Sequence, residues 1–151
     1  MKFDIISNVC DWNDLGLFGT LYIETNGQPF PHTHASGNIS EMLILWAESL
    51  CSLLESASGD MEELFFPACA HSFSIQLSGP RFALICLKQN AKPINAPPVE
   101  VSFFSIVCAV YLLIAELISD KRFDGIAHIK RLKSVSDRLK KASKSFGFHF
   151  E

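Results

Sequence analysis

The sequence predicts a single α+β domain spanning residues 1–151, an antiparallel sheet of hairpins with about three helices packed on it. Three observations predict it. Alternating apolar runs are joined by tight-turn dipeptides, Asn26-Gly27 and Gly79-Pro80, which favour hairpins over crossovers. Residues 38–56 and 126–144 carry apolar side chains at helical spacing. The chain is 48% hydrophobic, and at this length a domain buries roughly 68–70% of its unfolded surface without a disulfide or metal staple.

The elements follow in order. Phe3-Asp4-Ile5-Ile6-Ser7 reads as a first strand, and Cys10 to Gly16 as a turn-rich loop around Trp12. In the second strand, Leu17 to Thr25, Leu17, Gly19, Leu21 and Ile23 fall on one face. Phe18, Thr20, Tyr22 and Glu24 fall on the other. Asn26-Gly27 turns into Gln28 to Pro31, an edge segment because of its prolines.

Asn38 and Glu41 fit a capping box at the start of a helix running to about Ser56. Its apolar stripe is Ile39, Met42, Leu43, Trp46, Leu50, Leu53 and Leu54, and Gly59 marks its end. Asp60 to Leu64 is a short acidic stretch. Ser72 to Ser78 alternates as a half-buried strand, and Arg81 to Lys88 returns beside it as a hairpin. Gln89 to Pro98 reads as a proline-bearing loop, with Val99 to Val101 extending the sheet.

An apolar helix follows from Ser102 to Ser119. The overlapping segment Val101 to Ile118 has only Ser102, Ser105 and Glu116 as polar residues, near the lower limit of a span that needs about 20. Glu116 and the remainder of the chain favour a buried core helix. The last helix, Ile126 to Lys144, has Ile129, Leu132, Val135, Leu139 and Ala142 on its inner face.

Five cysteines, with no two in a C-x-x-C pair, argue for a reducing, cytoplasmic setting. The N-terminus lacks the basic and apolar regions of a signal peptide. Thirteen phenylalanines suggest an aromatic core, with an apolar surface patch as the alternative.

Charge is distributed unevenly. Residues 1–120 hold 4 basic and 13 acidic side chains, a net −9, and residues 121–151 hold 9 and 3, a net +6. Asp11 and Asp14 flank Trp12, and Asp60, Glu62 and Glu63 lie close together. These six residues are the candidate partner-binding set, because an acidic surface steers a basic partner and an aromatic side chain anchors it.

His32-Thr33-His34 would need a third ligand to hold zinc, and no Cys/His cluster lies near it in sequence. Neither Cys51 nor Cys86 has the local signature of a thiol nucleophile. No hydrolase, phosphate-loop or dinucleotide motif occurs. No catalytic residue, metal or cofactor is therefore expected. The basic C-terminal segment reads as an exposed helix face and not as a nucleic-acid interface, since no aromatic stacking pattern accompanies it.

The chain resembles the immunity proteins of bacterial polymorphic-toxin and contact-dependent growth inhibition systems. The resemblance rests on Phe3-Asp4-Ile5, the strand Leu17-Phe18-Gly19-Thr20-Leu21-Tyr22-Ile23, the turn Asn26-Gly27-Gln28-Pro29-Phe30 and the helix from Ser40. It covers about the first 50 residues and implies a protein that binds a cognate toxin domain, often a nuclease, and blocks its active site or substrate path. A small enzyme with His32, His34 and His71 converging, or a homodimer formed through phenylalanines, are the alternatives.

Overall fold

A computed structural model describes residues 2–56, 60–66, 70–94 and 97–150. The architecture is α+β, with antiparallel strands and three α-helices. The strands divide into two sheets. One contains β1 (Phe3–Asn13), β2 (Gly16–Thr25), β3 (Gln28–Phe30) and β4 (Ser36–Asn38), with β2 bonded to the other three. The other contains β5 (Met61–Phe65), β6 (His71–Ser78), β7 (Phe82–Gln89), β8 (Lys92–Pro93) and β9 (Val99–Ser102). Helices α1 (Ile39–Glu55), α2 (Phe103–Ser119) and α3 (Ala127–Phe146) complete the fold. Helix α1 packs on β2 and β5, and α2 on β1 and β7, so the helices bind the two sheets into one core.

The alternation of β2 places Leu17, Leu21 and Ile23 in the core, all fully buried. Residues 10–13, expected in a loop, instead extend β1, and only Asp14 and Leu15 turn. The reason lies across the hairpin. The register slips between Val9 and Asp11, and Gly19 stands opposite Val9 at the slip. A Cβ on Gly19 would lie 1.9 Å from the Asn8 carbonyl oxygen, so only glycine lets the bulged strand come this close. Pairing then resumes with Asp11 opposite Phe18 and Trp12 opposite Leu17.

Asn38 caps α1 as expected, its Oδ1 accepting from the Glu41 amide at 3.1 Å. The reciprocal half of the capping box does not form, because Glu41 reaches Arg131 on α3 at 2.9 Å. Asn38 Nδ2 also donates to the Leu15 carbonyl (3.0 Å), tying the β1–β2 turn to the helix start. Gly16, at φ +143°, permits this closure, since a Cβ there would sit 2.6 Å from the Asn38 side chain.

Beneath this junction lies an aromatic core. Trp46 meets Phe66 and Phe73 edge-on at 5.3 and 5.4 Å, and Phe30 meets Phe66 at 5.6 Å. Phe3 and Phe73 carry the contact from sheet to sheet. Six phenylalanines are buried, while Phe65 and Phe82 are among the exposed large apolar residues.

Helix α2 packs Phe103, Ile106, Val107, Val110, Ile114 and Leu117 inward. No helix among the described residues is long and apolar enough to cross a membrane. Helix α3 buries Ile129, Leu132, Val135, Leu139 and Ala142 as its spacing predicts. It ends at Gly147, whose left-handed φ of 104° directs the Phe148 amide back to the Ser143 carbonyl at 2.8 Å. Gly59 and Cys69 lie outside the described residues.

Candidate functional site

The short acidic stretch at residues 60–64 is largely the strand β5. Pairing with β6 captures it, because Leu64 and Phe73 stand opposite each other and both are buried. Pairing on one side leaves β5 at the edge of its sheet among the described strands. Helix α1 lies alongside, and a groove of about 380 Å³ runs between the two.

The groove combines apolar and acidic surface. Leu45, Trp46, Leu64 and Phe65 contribute its apolar lining, while Glu48, Glu62 and Glu63 bring carboxylates. Leu45, Met61 and Phe65 are exposed to 43, 54 and 43%, so large apolar side chains gather at or beside the opening. The end of β5 is pinned by Trp46, whose Nε1 donates to the Phe65 carbonyl at 2.8 Å.

The three carboxylates are not equivalent. Glu63 accepts from Ser72 Oγ at 2.9 Å and lies 3.4 Å from Lys88 Nζ, so its charge is largely satisfied within the fold. No ion pair forms at Glu48 or Glu62 among the described residues. Arg138 borders the groove, but its guanidinium is engaged by Glu55 through bonds of 3.1 and 2.9 Å. That hydrogen bond holds the Glu55 carboxyl below its ordinary range and keeps Arg138 charged. Among the described residues Glu48 and Glu62 thus lack a close ion pair, although the field of Arg138 reaches Glu48, and exposed Asp60 lies just before β5.

The other half of the candidate set lies apart in sequence, at the β1–β2 turn. Asp11 and Asp14 are exposed there, and Asp11 Oδ1 accepts from the Trp12 amide at 2.9 Å. Trp12 is 38% exposed and already has partners: it meets Phe123 edge-on at 5.3 Å. The Arg122 guanidinium lies 5.5 Å from the Trp12 ring and 5.0 Å from the Phe123 ring. Asp120 holds Arg122 at 2.7 Å, and this bonding lowers the Asp120 pKa and raises that of Arg122. As an anchor for a partner, Trp12 would therefore be committed in advance to one orientation.

Of the six expected residues, Glu62 and Glu63 line the groove, Asp60 adjoins it, and Asp11, Trp12 and Asp14 belong to the turn. Sequence reasoning missed Leu45, Glu48 and Phe65. The one available signal was Leu45, an apolar residue outside the helical stripe of α1.

Other polar constellations have structural explanations. Ser40 Oγ lies 2.8 Å from His128 Nδ1, and His128 Nε2 lies 3.9 Å from Glu41, superficially a nucleophile–base–acid chain. Yet Ser40 is fully buried, donates to Asn38 Oδ1 at 2.8 Å and accepts from the Leu17 amide at 3.0 Å. This geometry joins α1, α3 and β2 and leaves the hydroxyl no access to a substrate. Burial pushes the Cys51 thiol up to about 11, far from the thiolate a nucleophile requires. Cys108 is also raised by burial. No group of three or more His, Cys, Asp or Glu among the described residues is placed to hold a metal ion.

No protein-family model, curated protein or solved structure matches this chain.

Proposed function

We propose that this chain is an immunity-type binding protein that neutralises a cognate bacterial toxin domain without chemical turnover. It acts in the cytoplasm and occupies the active site or substrate path of a toxin with a basic surface, such as a nuclease. The groove between α1 and β5 carries this reading, because exposed Leu45 and Phe65 lie beside the carboxylates of Glu48 and Glu62, neither of which forms an ion pair among the described residues. Apolar side chains at the centre of an interface supply affinity, while surrounding charge sets encounter rate and partner choice. A nuclease domain binds phosphates with Lys and Arg, so its substrate groove is electrostatically complementary to this surface.

The ion pairs of α3 support the same reading. Arg131 and Arg138 are paired with Glu41 and Glu55, so part of the basic C-terminal segment neutralises α1. Glu62 on β5 forms no ion pair among the described residues. Cys10, Cys51, Cys86 and Cys108 are free thiols, as suits a reducing compartment.

The test is a rescue experiment. The product of the reading frame immediately upstream is expressed from a tight inducible promoter, with and without this protein. The expected result is growth arrest relieved by co-expression, with both proteins recovered in one complex. A harmless product, or a toxic one that neither binds this protein nor is relieved by it, would overturn the assignment.

A further inference from the structure

The backbone of β5 presents a second recognition element beside its acids. The Phe66 amide donates to the His71 carbonyl at 3.1 Å, so Phe66 bonds inward toward β6. Alternation along a strand then sends the backbone groups of Met61, Glu63 and Phe65 outward. The Phe65 carbonyl agrees, since its bond comes from Trp46 on α1 and not from β6. No described strand pairs with this edge, which leaves the polar backbone groups of Met61 and Glu63 open to pairing.

Side chains on β5 alternate as well. Glu62 and Leu64 share one phase, and Met61, Glu63 and Phe65 share the other. A strand laid along this edge would place every second side chain between Glu62 and Glu48, over Leu45. Lys and Arg fit such a position, with an apolar stem on leucine and a charged head at the carboxylates.

We propose that the basic partner adds an extended segment, with Lys or Arg at alternate positions, as a new strand on the free edge of β5. The inference rests on the binding role proposed above and specifies its mode. Charge selects this occupant over a second copy of the chain. A two-fold antiparallel pairing of β5 with its own copy, centred on Glu63, would set Glu63 directly against its counterpart in a strand that also carries Asp60 and Glu62, and like charges across a ladder are destabilising. Backbone pairing supplies affinity in such additions, and alternate side chains supply specificity.

The test uses the full chain and a capped, labelled peptide of alternating Lys and Val. A second peptide is N-methylated at alternate amides. Binding is read by anisotropy, and amide exchange is followed at Met61 and Glu63. The expected result is protection of both amides and about tenfold weaker binding of the methylated peptide, from the loss of two or so hydrogen bonds. Met61→Pro, which removes an outward N–H at the first position of an edge strand and is tolerated there, should weaken binding similarly.

Equal binding of both peptides without amide protection would overturn strand addition while leaving an acidic groove that takes basic chains. Failure of both peptides to bind would also overturn it. The neutralisation reading would fall separately, on the rescue experiment. A concentration-dependent dimer abolished by Met61→Pro would assign the edge to a second copy and overturn the proposed occupant.

Discussion

Trp46 both fills the core and fixes β5, so its replacement tests how the groove is built. Trp46→Phe keeps an aromatic ring against Phe66 and Phe73 but deletes the indole N–H. The Phe65 carbonyl then loses its 2.8 Å donor, at a cost of about 1–3 kcal/mol for an acceptor left unsatisfied in a partly buried position. The two edge-on contacts at 5.3 and 5.4 Å are worth about 0.5–1.5 kcal/mol each, and the smaller ring retains only part of that. Together the loss should be about 2–4 kcal/mol. For a chain of this size that lowers the Tm by about 5–15 °C. Urea denaturation with matched m-values gives the free energy, and amide exchange at residues 61–65 reports local opening of the strand. Exchange there should accelerate more than in β2, which is distant from the lost bond. A destabilisation below about 0.5 kcal/mol with unchanged exchange in β5 would refute the claim that Trp46 pins the edge.

Gly19→Ala should destabilise by about 3 kcal/mol or more, because its Cβ would fall 1.9 Å from a backbone oxygen that cannot move without breaking β1. Gly27→Ala, at φ +75° with open space around it, should cost only about 1–2 kcal/mol; equal losses in thermal melts would show that the bulge is not the constraint. Reversing Glu48 and Glu62 to Lys should slow association with a basic partner by about tenfold or more at low salt, with the effect shrinking toward physiological ionic strength. Stopped-flow rates across salt concentrations measure this, and a salt-independent rate equal to wild type would remove the groove from the encounter. Glu63→Lys should additionally lower stability by about 1 kcal/mol, because Glu63 is bonded to Ser72 and paired with half-buried Lys88. Glu55 and Asp120 have depressed carboxyl pKa values, caused first by the side-chain bonds from Arg138 and Arg122. The unfolded chain therefore binds their protons first: their stabilisation is present above roughly pH 4 and is lost as pH falls through the folded values. Urea midpoints should fall on acidification, less steeply in Glu55→Gln, and identical acid profiles would refute a folded-state role for that pair.

Sequence alone determined the secondary elements that rest on local periodicity and turn chemistry. The stripes of α1 and α3, the alternation of β2 and β6, and the Asn26-Gly27 turn are each encoded by residues within a few positions of one another. The burial of Leu43, Leu50, Leu132 and Leu139 follows directly from those patterns. Charge asymmetry was legible too, because it requires only counting. What sequence could not decide depended on partners distant along the chain. The strand character of residues 10–13 came from pairing across Gly19, and that of residues 61–65 from pairing with β6. Neither segment has a local pattern strong enough to prevail against turn-forming or acidic composition. The division into two sheets likewise depends on which strand edges meet. The same distinction applies to the candidate groove. Glu62 and Glu63 were visible as acids in the sequence, but only the fold matched Glu63 with Lys88 and left Glu62 beside Glu48 and Leu45. An acid's charge is a property of its residue, whereas its availability to a partner depends on which cations the tertiary structure brings within a few ångströms of it.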